Sequence, residues 1–230
     1  MSILERLRGG LIVSVQAERE SLLATTQVMT LFARVAERNG AGGIRAEGIE
    51  TLRSIRAAVA LPLIGIVKRV YPGFAPYITP TVKDAEAIAK SGVDIVAFDA
   101  TNRMRPDGAS LSDMVEASHR AGALAMADCS TAGDARAAAQ AQCDIVATTL
   151  AGYTDETRGR PLPAVDIVSV MRREHGFVVC EGGIASPQLG REALEAGASA
   201  IVVGSAITNL DALVRSFLPS GHFPPEGGSA

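Results

Sequence analysis

The 230-residue chain contains no apolar run approaching the roughly 20 residues needed to cross a bilayer, and no amino-terminal stretch zoned like a secretory signal. A cytoplasmic protein that does not enter membranes is expected. It also lacks a basic face: 22 Lys and Arg against 25 Asp and Glu leave a net charge of −3, with no cluster able to neutralise a row of phosphates. Nucleic acid is therefore not an expected partner. Cysteine is scarce and odd in number, and Cys129, Cys143 and Cys180 form no Cys-x-x-Cys pair, so they read as small buried thiols in a reducing compartment. Of the three histidines, His119 falls in a helical pattern, His175 in a turn and His222 in the carboxyl-terminal tail, which leaves no histidine-based zinc site.

What is present is ordinary globular material, 47% hydrophobic and 20% charged, long enough to bury one large core. Short runs of Val, Ile, Leu and Ala recur at 11–15, 42–46, 63–67, 94–98, 123–127, 144–147, 177–180 and 200–203. They are almost wholly apolar rather than alternating, as parallel strands covered on both faces must be. Helical patterns lie between most of them, at 48–59, 82–89, 111–121, 132–139, 165–173, 188–196 and 211–217. A glycine after the helices at Gly92, Gly122 and Gly197 stops each one just before the next strand. Eight strand-helix units predict an α/β fold, a single-domain (β/α)8 TIM barrel over residues 1–218, with 219–230 as a flexible tail. A doubly wound open sheet competes less well, because the first run leads into Ser14-Val15-Gln16 without a G-x-G-x-x-G turn. Residues 1–10 read as a short helix under the barrel.

In such a barrel the chemistry sits at the carboxyl ends of the strands, where this sequence puts Gln16, Arg45, Lys68, Asp99, Asp128, Thr148, Thr149 and Glu181. Lys68 follows Leu63–Val67, so its amine is directed into the mouth, where desolvation could make it a base or a Schiff-base nucleophile. Glu181 follows Phe177–Cys180 and is followed by two glycines, which suits proton transfer or an ion pair with Lys68 or Arg45. Gln16, Arg45 and Asp128 read as positioning groups. The turns Glu181-Gly182-Gly183-Ile184 and Val203-Gly204-Ser205-Ala206 each open a helix after one of the last two strands, where glycine lets backbone amides approach a phosphate.

Several strings resemble the N-acetylmannosamine-6-phosphate 2-epimerases: Gly43-Ile44-Arg45-Ala46, Pro62-Leu63-Ile64-Gly65-Ile66-Val67-Lys68-Arg69, Tyr77-Ile78-Thr79-Pro80-Thr81, Met126-Ala127-Asp128, Thr148-Thr149-Leu150-Ala151-Gly152-Tyr153-Thr154 and Val203-Gly204-Ser205-Ala206-Ile207-Thr208. The resemblance runs from residue 11 to about 208. It implies interconversion of N-acetylmannosamine 6-phosphate and N-acetylglucosamine 6-phosphate in sialic acid breakdown, by an isomerase without metal or organic cofactor. Carried over by position, Lys68 and Glu181 would be catalytic; Gln16, Arg45, Asp128, Tyr153 and Thr154 would bind the sugar; Gly182, Gly183, Gly204 and Ser205 would hold the phosphate. The partner implied is a small sugar phosphate, with a homodimer as the assembly. Asn209 stands where the family carries an arginine, and the Glu181-Gly182-Gly183 turn lacks a polar residue after its first glycine. Two other readings stay open: a lysine Schiff-base aldolase of a phosphorylated keto acid, and a non-catalytic phosphosugar-binding regulator.

Overall fold

A computed structural model describes residues 1–219. The tail expectation therefore falls, beyond Pro219, outside the described residues. Strands β1 (Leu11–Val15), β2 (Gly43–Glu47), β3 (Leu63–Ile66), β4 (Ile95–Asp99), β5 (Leu124–Asp128), β6 (Ile145–Ala147), β7 (Val178–Glu181) and β8 (Ala200–Val203) are all parallel and pair in chain order. The eighth closes on the first through Leu11–Val13 and Ile201–Val203. This is the expected (β/α)8 barrel.

Helices α2 (Thr26–Arg38), α3 (Ile49–Ala58), α4 (Val82–Ala89), α5 (Leu111–Arg120), α6 (Ala132–Gln140), α7 (Val165–Glu174) and α8 (Pro187–Glu195) cover the outside, with α9 (Ser205–Thr208) and α10 (Leu210–Ser216) following β8. Their starts are written locally: the side chains of Thr25, Thr81, Ser110, Thr131 and Ser186 each accept the third amide of the helix they precede. Helix α2 was not among the sequence patterns. Its buried stripe is narrow, Met29 and Ala33, while Leu31 and Val35 are more than half exposed and blur the period. Helix α1 (Ile3–Leu7) lies beneath the barrel as expected, with Leu7 fully buried among the interior residues.

Strand alternation sorts the side chains. Ile44, Ala46, Leu63, Val96, Phe98 and Val146 point outward into the layer shared with the helices. Ile12, Ile64, Ile66, Ala97, Met126 and Val179 point inward and fill the barrel. Continuing each inward row toward the carboxyl end brings Gln16, Arg45, Glu47, Lys68, Asp99, Asp128, Thr149 and Glu181 onto the same inner face. The barrel is an apolar plug below and a polar mouth above.

Candidate active site

The mouth opens into a cavity of about 760 Å³ lined by the strand ends and the loops after them. At its floor lies a buried ion cluster. Arg45, 1% exposed, donates from Nη1 to Asp128 Oδ1 at 3.0 Å and from Nη2 to Oδ2 at 2.6 Å, the fork-on-fork geometry of a strong charged pair. Its Nη1 is also 3.3 Å from Glu181 Oε2. The Thr149 hydroxyl lies between the two acids, 2.6 Å from Asp128 Oδ1 and 3.1 Å from Glu181 Oε2. Burial works against the charge on Arg45, yet the carboxylates of Asp128 and Glu181 outweigh it and hold the guanidinium above its usual range.

Glu181 is the acid of that cluster that also lines the cavity. Burial raises its pKa from 4.5 to about 6 against the pull of Arg45; Asp128 raises it further, and Thr149 and Lys68 oppose the rise. A carboxyl poised there can be proton donor or acceptor near neutral pH.

Lys68 lines the same cavity but in another setting. Its side chain is 40% exposed and its Nζ lies 3.3 Å from Glu47 Oε2. The desolvated lysine anticipated from the sequence is not what the structure shows; a neighbouring strand instead supplies a carboxylate. Glu47 was missed because β2 ends one residue later than its apolar run suggests, although its place two residues after Arg45 puts it on the inner face. The backbone of Lys68 is fixed by an antiparallel bridge to Ile78, with Arg69 N donating to Tyr77 O and Thr79 N to Val67 O. Thr79 is fully buried at φ +43°, an uncommon conformation for a branched residue, and the folded-back segment brings Tyr77 into the cavity wall. Burial, then the nearby Asp128 and Asp99 charges, raise the Tyr77 phenol pKa. Arg69 turns outward to Asp84 at 2.7 Å, so one of the two adjacent cations is absorbed structurally.

The opposite wall is built from the turns after β7 and β8, represented by Gly182, Gly183, Gly204 and Ser205. Gly183 has φ +72°, and a Cβ there would overlap that of Leu162. A Cβ on Gly204 would come within 3.3 Å of Ser14 Cβ. Among the described residues the amides of Gly182, Gly183, Ile184, Ala185, Gly204, Ser205 and Ala206 donate to no protein acceptor, which leaves a row of N–H groups along one wall.

The remaining expected residues divide. Gln16 lines the cavity with its Nε2 donating to Ser14 Oγ at 2.7 Å, and Tyr153, 59% exposed, lines it as well. Thr154 does not reach it: its hydroxyl is 2.6 Å from Ser130 Oγ and 2.9 Å from Thr157 Oγ1, a buried triangle that pins the loop after β6 to the loop after β5. Asp128 is fully buried, does not line the cavity, and accepts from Arg45 on both oxygens. Asn209 caps α10, accepting from Ala212 N at 2.9 Å, and donates to Glu18, which also binds Arg215. The three cysteines are free and buried, and burial raises the thiols of Cys143 to about 12 and Cys180 to about 11, so neither is a ready nucleophile.

Residues 29–220 match the family model NanE, "Putative N-acetylmannosamine-6-phosphate epimerase". A Synechococcus elongatus protein named "Putative N-acetylmannosamine-6-phosphate 2-epimerase" is 43% identical over 226 residues, covering 96% of this chain and 97% of that one. One of the same name from Clostridium perfringens is 38% identical over 216 residues, covering 94% and 98%. The solved structure of the N-acetylmannosamine-6-phosphate 2-epimerase from Clostridium perfringens superposes with a TM-score of 0.91 at 36% identity, over 94% of this chain and 95% of that one.

Proposed function

The chain belongs to the N-acetylmannosamine-6-phosphate epimerase family, and on that premise we propose that it interconverts N-acetylmannosamine 6-phosphate and N-acetylglucosamine 6-phosphate by proton transfer at C2. The observation that carries this reading is the shared cavity: an amine, a carboxyl raised to about 6 and a wall of free amides line one space.

The chemistry asks for little more. In the open-chain sugar the C2 hydrogen sits beside the aldehyde, and its removal gives an enolate that can take a proton back on either face. Inversion needs proton carriers for both faces, and this reading assigns them to Lys68 and Glu181. Arg45 sits beneath them and, with Thr149, holds the Glu181 carboxylate in place. Its charge also favours the oxyanion that develops as the proton leaves. Gln16 and Tyr153 contact the sugar. Gly182, Gly183, Gly204 and Ser205 take the phosphate on backbone amides, which suits an anion and requires no cation at position 209.

With this activity we assign the chain to sialic acid and amino sugar catabolism in the cytoplasm, a reading that the free thiols support. No helix of the described residues is long and apolar enough to cross a membrane. A homodimer is supported by α10, whose Leu210, Leu213 and Val214 are about half exposed, and by Phe217 just after it, which is 82% exposed.

The test is direct. N-Acetylmannosamine 6-phosphate incubated with the protein in deuterated water should give N-acetylglucosamine 6-phosphate by proton NMR, with deuterium at C2. Absence of product at high protein concentration would overturn the reading. A borohydride-trapped adduct on Lys68 would favour Schiff-base chemistry instead.

A further inference from the structure

Lys68 and Glu47 form an ion pair that the reaction as derived above does not use. Both backbones are fixed. Glu47 is held in register opposite Ile66, and the next residue, Gly48, donates its amide to Ile66 O at 3.0 Å. Lys68 is clamped by the bridge to Ile78, with flanking bonds of 2.9 Å from Arg69 N and 2.7 Å from Thr79 N. Two side chains rising from adjacent strands on the inner face thus meet at 3.3 Å at the rim of the cavity. Most surface ion pairs must order two long side chains on mobile supports and contribute little. Here the supports are rigid and only one long arm remains to be ordered.

The other charged groups around Lys68 are already engaged. On β2, Arg45 is bound to Asp128 and Glu181. On β7, Glu181 acts on Lys68 through its charge but accepts its close contacts from Thr149 and Arg45. On the segment after β3, the Tyr77 phenol lines the cavity and carries no charge, burial raising its pKa, and Arg69 is turned away onto Asp84. On β4, Asp99 is held by Arg103 at 2.6 Å. Glu18, at another part of the wall, is bound to Asn209 and Arg215. Among the described residues Glu47 is the one carboxylate within salt-bridge distance of the Lys68 amine.

We propose that Glu47 is the positioning residue of Lys68, holding the amine on the β2–β3 side of the mouth so that it meets one face of the bound sugar while Glu181 serves the other. Glu47 touches neither substrate nor reacting atoms; it acts through Lys68. The proposal rests on the epimerase reading for its kinetic arm and on geometry alone for its chemical arm.

Two measurements decide it. Glu47→Gln should lower kcat by about tenfold, in keeping with the sensitivity of proton transfer to small displacements, while KM moves less than about threefold because the phosphate wall is untouched. Glu47→Asp, which keeps the charge, should recover much of the loss. Independently of activity, brief labelling with an amine-reactive reagent should modify Lys68 about threefold faster in Glu47→Gln than in wild type, with Lys83 and Lys90 of the same chain as internal references. Unchanged Lys68 labelling, or a kcat equal to wild type in an active protein, overturns the proposal. Should the wild type prove to have no epimerase activity, the functional reading fails while labelling still decides whether Glu47 restrains Lys68.

Discussion

Strand β2 carries two charged side chains two residues apart, and the molecule uses them in opposite ways. Arg45 is 1% exposed, bidentate on Asp128 and linked to Glu181; Glu47, one layer higher, is 34% exposed and meets the half-exposed Lys68. The lower cluster is locked, since a buried charge deprived of its partner is costly and every member fixes another. The upper pair is partly screened by water, so its hold depends on the fixed backbones that carry it rather than on burial. The contrast separates scaffold from proposed working groups: the floor sets where Glu181 stands, and at the rim Glu47 holds the amine that is proposed to meet the sugar.

Substitutions at the two levels should therefore fail differently. Lys68→Ala should lower turnover by about a thousandfold or more, the scale of a lost general acid or base, with the unfolding midpoint nearly unchanged because only an exposed pair is lost. A variant of wild-type activity would remove Lys68 from the chemistry. Asp128→Ala should act in reverse, costing about 3–5 kcal/mol of stability by leaving Arg45 buried beside Glu181 alone. Thermal unfolding within about 2 °C of wild type would show that the floor is not locked.

Glu181→Gln tests both levels at once. Turnover should fall by about a hundredfold. Stability should move the other way. The folded protein raises this carboxyl from 4.5 to about 6, so it holds the proton more tightly than the unfolded chain does. Stability from this group is therefore full below pH 4.5, falls as the pH rises through that window, and stays low above about 6. Glutamine never ionises, so the variant should be about 1–2 kcal/mol more stable than wild type at pH 7.5, with the gain vanishing near pH 4. Calorimetry at the two pH values would show it; equal midpoints at both would mean that Glu181 is not strained by burial. The smallest effect is expected furthest from the floor. Asn209→Ala should cost about 1 kcal/mol, the worth of a helix cap, seen as faster amide exchange in α10 with little change in KM. A large rise in KM would mean that Asn209 contacts the phosphate directly.

Much of this site is legible because a parallel barrel obeys two simple periods. Apolar runs mark the strands, and the inner face alternates with the outer, so Arg45, Asp128 and Glu181 follow from counting. Thr154 shows where counting stops: it adjoins Tyr153 at the mouth, but a loop has no fixed period, and its hydroxyl turns to Ser130 and Thr157 instead. Glu47 shows a different limit. Its position was countable, yet nothing local told that β2 runs one residue past its apolar stretch, because pairing with Ile66 extends it. Helix α2 escaped because its buried stripe is only as wide as Met29 and Ala33 require.

The amino-acid order by itself determined the eight strands, the capped helix starts, the glycine turns after β7 and β8 and the set of polar side chains around the mouth, since each depends on residues near one another in the chain. Tertiary structure alone decided which charge meets which. Arg45 and Asp128 come from strands that are not neighbours, Lys68 and Glu47 from strands that are, and the choice between burying a charge and leaving it in water was made by barrel closure and strand register. Those are set by the packing of the whole core, and the energy of an ion pair depends on the dielectric that packing leaves around it.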